Sequence, residues 1–414
     1  MKVAMVNTYD LRGGAARAAW RLFEGLRAGG TDVRLLVQEK QSDDDDVVRV
    51  ASPLSALLNP FRPYADFAVA FPMTRKRVLF SSALLPDRLP EAIAGLSPDI
   101  VHLHWVAGGF VRIESLAAIS RPMVWTFHDM WPLTGGCHYT GECLAWQEIC
   151  GKCPVLHSSS ARDLSRSVFL RKQKAYAKIR DLVVTTPSRW MADRARESPL
   201  VANRRIEVVP NGLDTAFYAP RNKEEARNRL GLPPDRSVIL FGAIRATQTP
   251  AKGFNLLVRA LREMGRSDVL LAVFGSASAG TEDTSGLDIR YFGHVADAST
   301  LVDLYSAANV TAVPSIQEVF GQAATESMAC GTPVAAFDST GLRDVVVHRE
   351  TGYLARPFEP GDLAAGLTWI LEDPQRREAL GQAARERAVS VYDISVVAAT
   401  MARLYKEILH GRKG

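Results

Sequence analysis

The chain of 414 residues has no uninterrupted apolar run of about 18 residues, although 47% of its residues are hydrophobic. A helix that spans a bilayer needs about 20 predominantly apolar residues, so we expect no transmembrane segment. The N-terminal residues 1–7 also lack the long apolar core of a secretory signal peptide. We therefore expect a cytoplasmic protein, in which the five cysteines are reduced unless they bind a metal.

Two common binding patterns are missing as well. The first strand-to-helix turn, residues 7–16, reads Asn-Thr-Tyr-Asp-Leu-Arg-Gly-Gly-Ala-Ala and not Gly-x-Gly-x-x-Gly, the fingerprint of dinucleotide oxidoreductases. An NAD-linked enzyme is therefore disfavoured. The formal net charge is only +5, and the chain has no groove pattern of interleaved basic and aromatic residues, so we expect no nucleic-acid partner.

Short apolar runs alternate with helical patterns in both halves of the chain. Such runs are typical of parallel strands covered on both faces. Their alternation with helices predicts an α/β protein with two doubly wound domains. The predicted strands are residues 2–7, 33–37, 100–105, 124–128, 183–186 and 206–209 in the first half, and 238–243, 270–275, 289–292, 310–313 and 334–337 in the second.

The turn Pro210-Asn211-Gly212 marks the passage between the two halves. We predict an N-terminal domain of residues 1–200, a C-terminal domain of residues 201–392 and a terminal helix within residues 393–414. Two such domains leave a cleft, and ligands of open α/β sheets bind at the carboxyl ends of the strands. The residues directly after the predicted strands are therefore the candidate site residues.

Two glutamates eight positions apart, Glu318 and Glu326, follow the apolar strand at residues 310–313. The pattern predicts a helix over residues 320–329 that ends at Gly331. Glu318 then lies on the strand-to-helix turn and Glu326 on the helix. Two exposed, solvated acids on a surface helix are the ordinary alternative.

Between the two glutamates lies a predicted anion site. Its donors are the free backbone N–H groups at the positive end of the helix, those of Val319, Phe320 and Gly321. Carboxylates bind hydroxyl groups, and backbone amides bind phosphates. Glu318 and Glu326 on either side of such a site therefore suit a sugar nucleotide.

This pattern resembles the Glu-x7-Glu signature of the family 4 retaining glycosyltransferases of GT-B fold. The resemblance implies two Rossmann-like domains that face a central cleft, with a C-terminal helix that crosses back to the N-terminal domain. It implies that the N-terminal domain binds the acceptor and the C-terminal domain binds the nucleotide-sugar donor. By the same resemblance, Glu318 binds the donor sugar and Glu326 the ribose. Residues 338–344 depart from the family pattern, because Thr340 stands where the family has the first glycine of a pair.

Positions in the N-terminal half also match the family. His128 follows a predicted strand and looks like the family's active-site histidine, and Asp129 is placed to orient its ring. A lone histidine is otherwise more often structural than catalytic. Gly14 opens a predicted helix, where the family's glycine-rich loop faces the donor phosphates; a plain turn is the alternative.

In the C-terminal half, Arg245 and Lys252 look like the family's arginine and lysine that clamp the donor diphosphate. Two fixed cations would stabilise the charge that grows on the departing diphosphate. Plain surface charges are the alternative, since 23% of the residues are charged. Gly275 ends another predicted strand and is expected to line the nucleotide pocket.

The resemblance thus implies a retaining hexosyltransferase that needs no metal or other cofactor for catalysis. Its donor would be a nucleotide-diphosphate sugar, with UDP or GDP as the first candidates. Its acceptor would be a saccharide or a lipid-linked sugar in bacterial surface polysaccharide synthesis. A sugar-nucleotide epimerase or hydrolase on the same fold and a non-catalytic sugar-nucleotide-binding protein remain alternatives. The expected catalytic residues are His128, Glu318, Arg245 and Lys252.

Four of the five cysteines lie within 17 residues of each other, at Cys137, Cys143, Cys150 and Cys153. Four cysteines in a reducing compartment, with one Cys-x2-Cys pair, indicate a tetrahedral zinc site. Free thiols, or disulfides formed under oxidation, are the alternatives. A closed four-ligand site has no open position, so the metal would be structural. This loop resembles one in the bacterial exopolysaccharide and colanic-acid type of the family.

Two segments combine basic and apolar side chains. Residues 161–181 have the pattern of a basic amphipathic helix, and residues 75–80 add a second basic and apolar patch. Such segments can lie on the inner face of an anionic membrane, which would suit a lipid-linked acceptor. A helix that packs its apolar face on its own sheet is the alternative.

Overall fold

A computed structural model describes residues 1–50, 59–74 and 79–411 of the chain. It divides into two α/β units, each with its own parallel sheet. The first unit comprises Met1–Pro210 and Val397–Gly414, and the second comprises Asn211–Val396. The division falls at Pro210 and not at residue 200, because residues 205–208 form the last strand of the first sheet.

The first unit contains a seven-stranded parallel sheet of order β3-β2-β1-β4-β5-β6-β7. Its strands are β1 (Lys2–Tyr9), β2 (Asp32–Glu39), β3 (Val47–Arg49), β4 (Ile100–Leu103), β5 (Met123–Thr126), β6 (Leu182–Thr186) and β7 (Arg205–Val208). The helices of residues 1–210 are α1 (Gly14–Ala28), α2 (Arg62–Ala68), α3 (Phe71–Thr74), α4 (Leu89–Leu96), α5 (Ile113–Leu116), α6 (Leu164–Tyr176) and α7 (Arg189–Glu197).

The second unit contains a six-stranded parallel sheet of order β10-β9-β8-β11-β12-β13. Its strands are β8 (Ser237–Gly242), β9 (Val269–Phe274), β10 (Ile289–Tyr291), β11 (Val310–Val313), β12 (Val334–Phe337) and β13 (Gly352–Ala355). Its helices are α8 (Lys223–Leu230), α9 (Phe254–Met264), α10 (Ala298–Ala307), α11 (Gln322–Ala329), α12 (Leu342–Val345), α13 (Pro360–Glu372) and α14 (Pro374–Tyr392).

The terminal helix α15 (Ile394–His410) returns to the first unit. Met401, Leu404 and Tyr405 are buried in the same apolar cluster as Phe23 of helix α1. The Tyr405 hydroxyl lies 2.5 Å from Nδ1 of His102 on β4. The predicted return of the C-terminal helix is confirmed, and its apolar face closes the core over the first sheet.

The eleven predicted strands are present, two with the predicted bounds and the others with shifts of at most two residues at their ends. Two further strands were not predicted: β3 has only two apolar residues in a row, and β13 begins with a glycine, which is uncommon in strands. The helix predicted from residue 320 begins at Gln322, because Gly321 has a φ of 98° and ends the turn before it.

Helix α6, the core of the basic amphipathic segment, packs its apolar face on its own unit. Val168, Phe169 and Tyr176 are buried, and so is Lys172. This helix therefore follows the packing alternative. The basic residues 75–78 of the second patch lie outside the described residues. In the described part of the chain, no helix combines the length and the apolar character that crossing a bilayer requires.

Each sheet has one point at which the strand order reverses. In the second unit the chain builds outward from β8, to β9 and β10 on one side and to β11, β12 and β13 on the other. In the first unit the same reversal separates β1 from β4. Ligands of open parallel sheets bind at such points, beyond the carboxyl ends of the strands.

Candidate functional site

The reversal point of the second sheet joins a lysine and a glutamate. Lys252 lies in the loop after β8, and Glu318 lies in the loop after the neighbouring strand β11. Lys252 Nζ is 2.5 Å from Glu318 Oε2, and each side chain is 21% exposed. A weaker contact of 3.4 Å joins Ser315 Oγ to the same oxygen. The structure thus brings two of the predicted catalytic residues together at one partly exposed position.

The two loops are held against each other by their backbones. Ile316 N–H donates to the carbonyl oxygen of Ala251 over 2.8 Å. Gly253 has a φ of 71°, and a Cβ at this position would lie 1.9 Å from the carbonyl oxygen of Pro314. Only glycine fits here, because a side chain would collide with the backbone of the loop that bears Glu318. The position of Lys252 relative to Glu318 therefore depends on this glycine.

The segment that departs from the family pattern supports the Glu318 turn. Glu318 N–H donates to Thr340 Oγ1 over 3.1 Å, and Gly341 N–H donates to the Glu318 carbonyl oxygen over 2.8 Å. A Cβ on Gly341 would lie 2.0 Å from the carbonyl oxygen of Val319. Thr340 has a φ of 49°, a conformation that glycine adopts more easily. Thr340 stands where the family has the first glycine of the pair, and its hydroxyl adds a hydrogen bond to the turn.

Arg245 and Gly275 meet at the ends of the adjacent strands β8 and β9. Arg245 N–H donates to the Gly275 carbonyl oxygen over 3.0 Å, and Arg245 itself has a φ of 53°. Gly275 has a φ of 83°, and a Cβ there would lie 1.9 Å from the carbonyl oxygen of Ala243. The exposed Arg245 side chain donates from Nε to Gln248 over 3.1 Å. A non-glycine residue in this strained region often marks a functional loop.

Glu326 lies inside helix α11 and is only 4% exposed. Its Oε2 accepts a hydrogen bond of 2.9 Å from the Tyr305 hydroxyl. Burial and the neighbouring Glu326 charge raise the pKa of Tyr305 well above its usual value, so the tyrosine keeps its proton and donates it. Sequence reasoning missed Tyr305, which lies on helix α10 with no motif around it. The contact of Glu326 with a ribose stays a prediction.

The predicted anion site lies where helix α11 begins. Gly321 precedes the helix with a φ of 98°, and Gln322 is its first residue. The Phe320 ring is buried and packs edge-on against Tyr392, with 5.6 Å between the ring centroids. The side chain of Phe320 therefore anchors the turn in the core. Phosphate binding by the backbone amides of Val319, Phe320 and Gly321 stays a prediction.

In the first unit, His128 is paired with another histidine. His128 Nε2 lies 2.9 Å from Nδ1 of the buried His104, and the two rings are stacked with centroids 5.2 Å apart. Burial lowers the pKa of His128 to about 4, against an opposing effect of Asp129. His128 is therefore a neutral ring at neutral pH, and it can exchange hydrogen bonds but carries no charge.

Asp129 has other partners than the predicted His128 ring. Its carboxylate accepts hydrogen bonds from Trp105 Nε1 over 2.7 Å and from Trp131 N–H over 2.8 Å, and lies 2.6 Å from His138 Nδ1. His138 lies within the cysteine loop. The expectation that Asp129 orients His128 is corrected: His104 holds that ring, while Asp129 ties the following loop to Trp105.

Sequence reasoning missed an aromatic pair at the reversal point of the first sheet. Tyr9 ends β1 and Trp105 follows β4; their rings are stacked at 6.1 Å. Thr8 Oγ1 donates to the Trp105 carbonyl oxygen over 2.9 Å and so joins the two strand ends. The sequence signal that could have identified this pair is the position of Tyr9 and Trp105 at the ends of apolar strands. Gly14 is the first residue of helix α1, and Gly13 before it has the positive φ of 100°. Contact of Gly14 with the donor phosphates stays a prediction.

The cysteine loop gathers its four thiols around one small cavity. Cys137, Cys143, Cys150 and Cys153 all line a cavity of about 20 Å³, and none of them forms a disulfide. Among the residues in the described ranges, no group of three or more His, Cys, Asp or Glu side chains is already arranged to hold a metal ion. The geometry thus places the predicted ligands together without closing them into a site.

Two family models match the chain. The model described as Glycosyltransferase Family 4 matches residues 12–217, and the model described as Glycosyl transferases group 1 matches residues 222–387. Together they cover both α/β units. The passage between the matches lies close to the division at Pro210.

Curated relatives point to the same class of protein. A D-inositol 3-phosphate glycosyltransferase of Kineococcus radiotolerans is 37% identical over 390 residues, which is 88% of this chain and 83% of that protein. The protein of the same name from Thermomonospora curvata is 37% identical over 208 residues, or 44% of this chain and 47% of that protein. The chain spans only about half the length of several of these relatives, including the protein from Thermomonospora curvata.

Solved structures share the whole architecture at low sequence identity. Sucrose-phosphate synthase from Thermosynechococcus elongatus has a TM-score of 0.70 and 22% identity, with 99% of each chain covered. HepE from Anabaena, solved in complex with UDP and glucose, has a TM-score of 0.66 and 18% identity, with 98% of this chain and 99% of that chain covered. With the two parallel sheets, these likenesses confirm the predicted GT-B fold.

Proposed function

The chain belongs to the group 1 and family 4 glycosyltransferases, and from this membership we propose that it transfers a hexosyl group from a nucleotide-diphosphate sugar with retention of configuration. The observation that carries the proposal is the Lys252–Glu318 ion pair at the reversal point of the second sheet. There a cation for phosphate and an acid for sugar hydroxyls lie side by side, and both remain partly exposed.

In this proposal the second unit binds the donor. Lys252 and Arg245 hold the diphosphate, together with the backbone amides before helix α11. Glu318 accepts hydrogen bonds from the sugar hydroxyls, and Glu326 does so from the ribose. UDP-sugars are the first donors to test, because HepE has the same fold and was solved with UDP and glucose. GDP-sugars follow.

The proposed chemistry needs no protein nucleophile. The bond between the anomeric carbon and the diphosphate oxygen breaks, and a new bond forms between that carbon and the acceptor oxygen on the same face. The departing phosphate oxygen takes the acceptor proton, so atoms and charge balance. Fixed cations at Lys252 and Arg245 stabilise the charge that grows on the leaving diphosphate. The neutral ring of His128 exchanges a hydrogen bond with the reacting sugar.

Two acceptor classes are proposed, each with its own support. The sequence resemblance favours a saccharide or lipid-linked acceptor of surface polysaccharide synthesis. The curated relatives are named for D-inositol 3-phosphate, a phosphorylated polyol. Both acceptors expose secondary hydroxyls, so the same transfer chemistry serves either. The name shared by the relatives makes the phosphorylated polyol the first acceptor to test.

The test combines donor binding with product analysis. A panel of UDP-, GDP- and ADP-sugars should include one that, at 100 times its Kd, raises the free energy of unfolding by about 2.7 kcal/mol. With that donor, NMR of the product should show a new glycosidic bond of the donor's own anomeric configuration. An inverted product refutes retention. Free, altered sugar without glycosylated acceptor supports an epimerase or hydrolase, and binding without turnover supports a non-catalytic protein.

We also propose a peripheral contact of the first unit with an anionic membrane, through the segment of residues 59–74. Phe61, Tyr64 and Phe71 are 65%, 58% and 55% exposed, an unusual density of exposed aromatic rings. The one acid of this segment, Asp66, is buried, and the sequence of residues 75–77 adds three basic side chains. Exposed aromatics that are followed in the sequence by basic residues suit the headgroup region of anionic lipids.

Vesicle co-sedimentation tests this contact. The triple variant Phe61→Ser, Tyr64→Ser, Phe71→Ser should bind vesicles containing phosphatidylglycerol roughly tenfold or more weakly than the parent, because each ring loses apolar burial. The control replaces Phe217 and Phe358, exposed rings of the second unit, by serine. Equal binding by the parent and the triple variant, or no binding by the parent, refutes the contact.

A further inference from the structure

The loop between strands β5 and β6 is built around sulfur. The thiols of Cys137, Cys143, Cys150 and Cys153 line one cavity, whose other walls include the rings of Phe80 and Trp146. The cavity of about 20 Å³ is little larger than the minimum that holds one water molecule. The fifth cysteine, Cys330, lies in the apolar core of the second unit. Convergence of four thiols from four points of one loop needs a physical reason.

A hydrogen-bond donor is already aimed at one of the sulfurs. Gly135 N–H donates to Cys150 Sγ over 3.1 Å. A donor of this kind stabilises a thiolate more than a thiol, and such donors are the usual outer contacts of metal-bound sulfur.

The backbone of the loop is tight where these cysteines lie. Lys152, between Cys150 and Cys153, has a φ of 48°, which closes the turn so that both thiols line the cavity. A Cβ on Gly135 would lie 2.2 Å from the carbonyl oxygen of Ser165 and 2.9 Å from Cβ of Cys150. The loop is therefore pressed against the start of helix α6, and a left-handed lysine is tolerated within it.

We propose that Cys137, Cys143, Cys150 and Cys153 are the four ligands of a structural zinc ion that occupies this cavity. The sulfurs need to close to about 2.3 Å from the metal, and each thiol gives its proton to solvent on binding. Zinc with four thiolates carries a charge of about −2. Beside the loop lies the buried side chain of Lys172, which donates to the carbonyl oxygens of Trp131 and Thr134.

The proposed ion would stabilise the loop that follows His128. His138 directly follows Cys137, and its Nδ1 lies 2.6 Å from Asp129, the neighbour of His128. The zinc site itself does not depend on the proposed transfer reaction. Metal content and turnover are separate measurements, so failure of one proposal is distinguishable from failure of the other.

Metal analysis of the purified full chain tests the proposal. We expect about one zinc per chain after dialysis against metal-free buffer. The double variant Cys150→Ser, Cys153→Ser should lose most or all of this zinc, whereas the variant Cys330→Ser should retain it. Protein reconstituted with Co²⁺ should show the intense d–d absorption of a tetrahedral thiolate site.

Two results would overturn the proposal without any variant. One is a parent protein that contains no zinc, takes up no Co²⁺ into a thiolate site, and shows five free thiols when they are titrated after unfolding. The other is mass-spectrometric identification of disulfides among the four cysteines in protein isolated with its thiols blocked. Because both use the parent chain, misfolding of a cysteine variant does not affect them.

Discussion

Replacing Lys252 by methionine should lower kcat for sugar transfer by about 10²–10³-fold, the usual cost of removing one fixed group that stabilises transition-state charge. Methionine keeps the length of the apolar stem and removes the ammonium. In the parent, that ammonium lies 2.5 Å from Glu318, and both side chains are 21% exposed. The variant therefore loses the diphosphate contact and leaves Glu318 without this cation.

Steady-state rates at saturating donor measure this effect, with donor affinity determined separately. Arg259→Met is the control, because Arg259 is an exposed cation of helix α9, which begins after Lys252. The control should keep the kcat of the parent, and both variants should keep its circular dichroism. An unchanged kcat in Lys252→Met, or equal losses in both variants, would remove Lys252 from the mechanism.

Most of the fold could be predicted from the sequence because its signals are local. The runs that form β1, β8 and β11 are short and largely apolar, and each is a parallel strand in the structure. Strand β3 could not be predicted, since Val47-Val48-Arg49 has only two apolar residues in a row. Strand β13 was missed because it begins with Gly352, a residue type that is uncommon in strands.

The candidate site was predictable where residues follow strands directly. Lys252 and Glu318 are 66 positions apart, yet each follows one of two adjacent strands, so the sheet order brings them together. Partners outside such motifs were not predictable. Tyr305 reaches Glu326 from helix α10, and His104 reaches His128 across neighbouring strands. Asp129 shows the converse. It is adjacent to His128 in the sequence, yet its hydrogen-bond partners are other residues.

Replacing Gly253 by alanine should destabilise the second unit by about 2–4 kcal/mol, which combines a strained backbone with a steric clash. The φ of 71° is unfavourable for alanine, and the new Cβ would lie 1.9 Å from the carbonyl oxygen of Pro314. Relief of the clash requires the loop of Lys252 to move away from the loop of Glu318. Transfer activity should therefore fall even at temperatures where the variant is folded.

Gly265→Ala separates the two causes. Gly265 ends the same helix that Gly253 begins, has a φ of 61°, and has no atom within 4 Å of its Cβ position. The Gly265→Ala variant is therefore destabilised only by the backbone strain, by about 1 kcal/mol. In thermal unfolding, Gly253→Ala should lower the midpoint of the transition by roughly 5–15 °C, and Gly265→Ala by a few degrees. Equal shifts, with parental kcat in both variants, would show that the Pro314 contact does not position Lys252.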